Sequence, residues 1–151
     1  MSTPCASGSP LKHLSSGDVT VSDLEWESIM RSVGGFLALG DSKSFELPFH
    51  NSIWSRPLTE KVLNEFSMSH CCQVYLCQCG VATSSGKPIG KSLCFAASHF
   101  TFCRTLHSRF GFCCCGEHAS ISEINYASTA RYPEKLARGI LSAVKAAMRD
   151  P

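Results

Sequence analysis

The chain has 151 residues, 44% of them apolar and 17% charged, which is the composition of one packed globular domain. Its 14 basic and 12 acidic side chains leave a net charge of +2, too even a balance to point to nucleic acid by charge alone. No stretch approaches the ~20 consecutive apolar residues of a membrane span, so no membrane partner is expected.

Residues 1–21 read as a flexible N-terminal segment and residues 22–151 as a single α/β domain. Met1 to Gly17 is rich in Ser, Gly and Pro and lacks the apolar centre of a signal peptide, so an intracellular protein is expected. Ser22-Asp23-Leu24-Glu25 is a capping box, and Trp26, Ile29, Met30, Val33 and Leu37 follow at helical spacing. That helix should fray at Gly34-Gly35, and Phe36 to Leu39 could equally be extended. Ser44 to Pro48 predicts a short strand closed by its proline. Pro57 opens a second helix with Leu58, Val62, Leu63 and Phe66 on one face. Cys72 to Cys79 and Lys91 to Ala97 form the arms of a β-hairpin around Ser84-Ser85-Gly86. Phe100 to Leu106 predicts a short helix. Tyr132-Pro133 begins the last one, in which Leu136, Ile140, Val144 and the nearby Leu141 and Met148 make the buried stripe; its late Arg138, Lys145 and Arg149 suit the helix dipole.

Ten cysteines in a chain of this size suggest disulfides only if the protein is secreted. Without a signal peptide they read first as reduced thiols, small buried hydrophobes or metal ligands. The adjacent pairs within Cys71-Cys72 and Cys113-Cys114-Cys115 diverge too much for regular bridges.

Four short segments carry a resemblance. Thr3-Pro4-Cys5-Ala6-Ser7 resembles the Pro-Cys nucleophile motif of DNA cytosine-5 methyltransferases. Phe45-Glu46-Leu47-Pro48, with Trp54 beyond it, resembles the Glu-Asn-Pro segment of divergent members. Cys77-Gln78-Cys79-Gly80, followed by Gly86-Lys87-Pro88-Ile89-Gly90-Lys91, is similar to the family's strand–turn–strand that carries basic residues to DNA. Tyr132-Pro133-Glu134-Lys135-Leu136-Ala137, with Ile140, is similar to its closing helix.

The resemblance implies a partial Rossmann-like methyltransferase sheet, short, parallel and flanked by helices, with a β-hairpin and a C-terminal helix. It implies DNA as partner, with a nuclear location, and S-adenosylmethionine as methyl donor. Cys5 would add to C6 of a base flipped out of the stack. Glu46 would hold N3 and stabilise the charge developing there. Lys87 and Lys91 would face DNA. Three departures qualify this. Only Met1 and Ser2 precede Thr3, so the cofactor-binding half is missing and would have to be supplied separately. Leu47 stands where the family has asparagine. Lysines replace the hairpin arginines and cannot form their bidentate fork. The expected protein is a truncated or degenerate methyltransferase-like one with little activity of its own. Alternatives stay open residue by residue: a flexible thiol at Cys5, an edge-strand ending at Glu46, solvated charges at Lys87 and Lys91.

A second constellation points to another class, a cysteine-rich zinc-binding or nucleic-acid interaction module. Cys113, Cys115 and His118 lie close in sequence, with His70, Cys71, Cys77 and Cys79 upstream. Zinc takes four thiolate or imidazole ligands in a tetrahedron. The cofactor would be zinc if the hairpin carries Cys77 and Cys79 to Cys113 and Cys115. Spacing alone fixes no ligand set. His50, His99 and His107 show no partner pattern and receive no role.

Overall fold

The computed structural model describes residues 43–114, 116–120 and 132–150, together with Ser28 and Ile124. Cys5, Cys115 and the helix expected after Ser22 lie outside the described residues, Ser28 apart. The elements run β1 (Ser44–Pro48), a 3₁₀ turn (Ser52–Ser55), α1 (Pro57–Glu65), β2 (His70–Tyr75), β3 (Ser92–Ala97), α2 (Phe100–Phe110) and α3 (Glu134–Ala147).

The three strands form one sheet in the order β1-β3-β2, and both pairings are antiparallel. The chain is therefore mixed α/β, with the expected hairpin and closing helix. The Rossmann-like sheet is not shown: among the described residues no strands pair in parallel. The reason is local. Residues 76–91 form a turn and a single bridge between Ala82 and Pro88, too compact to hold the crossover helix that parallel neighbours need.

Alternation sorts the sheet into two apolar faces. Phe45, Leu47 and Ala96 face the 3₁₀ turn and α1, where Ile53, Val62 and Met68 complete a buried cluster. Trp54 packs edge-on to Phe45 with centroids 5.8 Å apart, and its indole N–H donates to the Pro48 carbonyl at 3.1 Å. Cys72, Val74, Leu93, Phe95 and Ala97 face α2 and α3, meeting Phe102, Cys103, Leu106, Phe110 and Leu136 in the larger core. The sheet is thus covered by helices on both sides.

Helix α2 runs one turn beyond the expected Leu106, because Phe110 continues its buried stripe four residues on. Helix α3 differs more. Its buried positions are Leu136, Gly139, Ala143 and Ala147, whereas Leu141 and Met148 are 61% and 73% exposed. Small residues line the seam because α2 comes close. A Cβ placed on Gly139 would lie 2.3 Å from Cε2 of the Phe110 ring. Both ends of α3 are tied down: the Tyr132 hydroxyl donates to the Glu46 carboxylate at 2.5 Å, and the Thr101 hydroxyl donates to Asp150.

The close crossing decides the sign of one substitution. Alanine is favoured over glycine inside a helix by about 1 kcal/mol. Gly139→Ala also forces a methyl into a buried ring, an overpacking cost of about 1–3 kcal/mol. We expect a net loss of stability, read as a lower urea midpoint at unchanged m-value; a higher midpoint would mean that helix propensity prevails over the contact.

Candidate metal centre

Four ligand atoms converge where the β2–β3 connection meets the chain leaving α2. The Sγ atoms of Cys77, Cys113 and Cys114 and a ring nitrogen of His118 all lie within 4.8 Å of one another. Cys77 comes from the tight turn after β2, in which Gly80 takes φ +81°, a left-handed conformation that suits glycine. Cys113 and Cys114 follow the end of α2 at Phe110, and His118 sits four residues beyond Cys114.

Several contacts place His118 without any metal. The Ala119 N–H donates to the Pro88 carbonyl at 2.8 Å, and Lys87 Nζ lies 3.0 Å from Glu117 Oε1. The imidazole then rests on Gly90, where a Cβ would stand 3.0 Å from its Cγ. On the facing side, the Cys114 backbone N–H donates to the Cys77 sulfur. Such a bond favours the thiolate, although burial outweighs it and pushes the metal-free Cys77 thiol up to about 11.

Spacing tests the fit. With zinc–sulfur bonds of about 2.3 Å and zinc–nitrogen bonds of about 2.0–2.1 Å, tetrahedral edges are about 3.8 Å between sulfurs and about 3.5 Å from sulfur to nitrogen. Cys77 and Cys113 are 3.9 Å apart, and His118 Nε2 is 3.5 Å from Cys113 and 3.1 Å from Cys114. Those three separations match the tetrahedron to within a few tenths of an ångström. Three thiolates and one imidazole are a soft donor set with no carboxylate, which suits zinc rather than magnesium or calcium.

The ligand set overlaps the one drawn from sequence and departs from it. Cys77, Cys113 and His118 come together as expected. Cys114, which was not singled out, occupies the fourth place; Cys115 lies outside the described residues. Cys79 turns inward instead, 3% exposed, its thiol on the Tyr75 carbonyl at 3.5 Å. His70 packs edge-on to Phe100, and Cys71 is a solvent-exposed thiol on β2. A signal for Cys114 was present in its Cys-x-x-x-His spacing to His118.

The remaining described cysteines are free thiols built into packing. Burial pushes Cys79 up to about 11 and Cys94 up to about 12. A hydrogen bond with Cys103, reinforced by burial, pushes Cys72 up as well.

Among the residues assigned by resemblance, Cys5 lies outside the described residues. Glu46 is only 3% exposed on the sheet face beneath α2 and α3, opposite Phe95, with its carboxylate on the Tyr132 hydroxyl. Lys87 is the ion-pair partner of Glu117 beside the cluster. Lys91 is half-buried immediately before β3, and its carbonyl accepts the Leu76 N–H at 2.9 Å. No helix among the described residues is long and apolar enough to cross a membrane. No family model, curated protein or solved structure matches this chain.

Two substitutions probe these placements. Gly90→Ala pushes on the His118 ring, so we expect weaker zinc binding by competition with a chromophoric chelator and an unchanged melting temperature of the metal-free protein. Equal affinity would show that the glycine is not needed to seat the ring. Tyr132→Phe removes a donor from a buried carboxylate and should cost about 1–3 kcal/mol in chemical denaturation; a loss below the measurement error would show that the bond is dispensable.

Proposed function

We propose that the chain is a small zinc-binding module in which Cys77, Cys113, Cys114 and His118 hold a structural zinc ion. The observation that carries this reading is the convergence of four soft ligand atoms within 4.8 Å, from segments 36 residues apart in sequence. Four protein ligands fill the coordination shell and leave no open position for substrate, which is the arrangement of a structural rather than a catalytic zinc.

Energetics give the ion a task. From 111 to 119, no described side chain is buried. Ordering a residue's backbone costs roughly 1–2 kcal/mol. Against that stand, among the described residues, two backbone hydrogen bonds, Gly111 N–H on His107 and Ala119 N–H on Pro88, of about 1 kcal/mol each, and an exposed ion pair contributing about 0–1 kcal/mol. The deficit is several kcal/mol. Structural zinc binding contributes roughly 10–16 kcal/mol in small peptides, enough to pin this segment to the β2–β3 connection. The module's function on this reading is to present a metal-ordered loop surface to a partner.

The methyltransferase-like reading, with S-adenosylmethionine and DNA, draws on Cys5 and on Glu46. The first lies outside the described residues, and the second has its carboxylate engaged with Tyr132 inside the core. Zinc is therefore the reading we adopt.

The test is elemental analysis of protein purified under reducing conditions. We expect one zinc per chain, and tetrahedral thiolate absorption on substitution by cobalt. Removing the metal with a strong chelator should lower the melting temperature and speed hydrogen exchange at the Ala119 amide, while amides of β3 keep their protection. Cys114→Ser or His118→Ala should cut zinc affinity by at least tenfold, whereas Cys71→Ser should not change it. A reduced, folded protein with no bound metal and no affinity for zinc would end this reading.

A further inference from the structure

Resting on the zinc assignment, we infer that this centre is an oxidation-sensitive clamp, in which a peroxide joins Cys77 to Cys113 and expels the ion. Three features favour that pair. Their sulfurs are 3.9 Å apart, and Cys113 is exposed while Cys77 is half-buried. Cys113 belongs to a segment in which no described side chain is buried, so it can travel the roughly 2 Å needed to reach a sulfur–sulfur bond of about 2.05 Å. Competing pairings are hindered. Cys114 is half-buried with its sulfur 3.1 Å from His118 Nε2, and its own backbone N–H holds the Cys77 sulfur in place. Cys113 and Cys114 are sequence neighbours, whose Cα atoms, about 3.8 Å apart, fall short of the 4.4–6.8 Å usual for a disulfide. Cys72, Cys79 and Cys103 are buried and screened from a dissolved oxidant.

The chemistry balances with hydrogen peroxide as oxidant. One zinc-bound thiolate attacks a peroxide oxygen, the O–O bond breaks, and that sulfur becomes a sulfenic acid while the departing hydroxide takes a proton from the buffer acid, as the second hydroxide does later. The second thiolate displaces the sulfenic oxygen, which leaves as hydroxide and is protonated. Two thiolates have then given up two electrons, one disulfide and two waters have formed, and Zn²⁺ is released unchanged in oxidation state. Cys114 and His118 alone are too few ligands to retain it. Reduction by a dithiol regenerates the thiolates, so the switch is reversible. Its readout is the segment 111–119, pinned in the reduced state and released in the oxidised one.

The experiment uses the full chain, with zinc content measured before oxidant is added. Hydrogen peroxide at a few equivalents is then supplied with a chromophoric zinc chelator, and peptides are mapped by mass spectrometry without reduction. We expect one zinc released per chain, a Cys77–Cys113 disulfide formed in parallel, and recovery of zinc binding after dithiothreitol. Cys71→Ser, which removes an exposed thiol outside the cluster, should release zinc at the wild-type rate. Zinc retained through peroxide, zinc lost with only sulfinic or sulfonic acids formed, a different disulfide, or release that depends on Cys71 would each overturn the clamp while leaving the metal site standing. Absence of zinc before oxidation would overturn the assignment beneath it.

Discussion

Everything at the metal centre depends on where the chain lands after it leaves α2. The landing is a backbone contact, Ala119 N–H on the Pro88 carbonyl, with Glu117 beside Lys87 and the His118 ring over Gly90. It fixes the imidazole on the β2–β3 connection, the same stretch whose first turn presents Cys77. Two cysteines on the intervening loop then have to pass between them. The contact is weak by itself, since a net backbone hydrogen bond contributes about 1 kcal/mol. Its importance is geometric: it brings two distant parts of the sequence together as one candidate ligand set.

That division of labour explains a cysteine content that would otherwise suggest a disulfide framework. Six of the eight described thiols fall into two populations. Cys72, Cys79 and Cys103 behave as small apolar side chains under the sheet; the bond to Cys103 and burial push Cys72 up, burial pushes Cys79 up, and the same Cys72 bond pulls Cys103 down. Cys77, Cys113 and Cys114 sit at the rim, outside both apolar clusters. The fold needs the first group for packing density. It does not need the second for packing.

How much of this was legible in the sequence follows the range of each interaction. The Ser44–Pro48 strand and the Pro57 helix were readable because a proline and a local apolar pattern set them. The hairpin was readable from its turn residues, although β2 starts two residues earlier and stops at Tyr75, where Gly80 and the following turn redirect the chain. The buried line of α3 was not, because large apolar residues mark a stripe and here a close neighbour selects glycine and alanine instead. Leu141 and Met148 were therefore placed inside when they are outside. Sheet direction was also hidden: a resemblance to a parallel-sheet family carries no information about which edges actually pair.

The same reasoning separates the ligands that were found from the one that was missed. Cys77 and Cys79 differ by two residues, and in a regular strand they would share a face. The chain turns between them, so one sulfur goes to the rim and the other to the Tyr75 carbonyl in the core. Likewise, Cys113 and Cys114 are adjacent and would diverge in any extended segment, yet both reach His118 because the chain leaves its helix at Gly111 and curls back. Spacing rules for metal sites encode such turns only when the turn itself is local, as in a Cys-x-x-Cys knuckle. In this chain the turn is completed by the β2–β3 connection, where the Pro88 carbonyl accepts the Ala119 N–H. The ligand identities are therefore a tertiary property, and the motif becomes visible only once the sheet has formed.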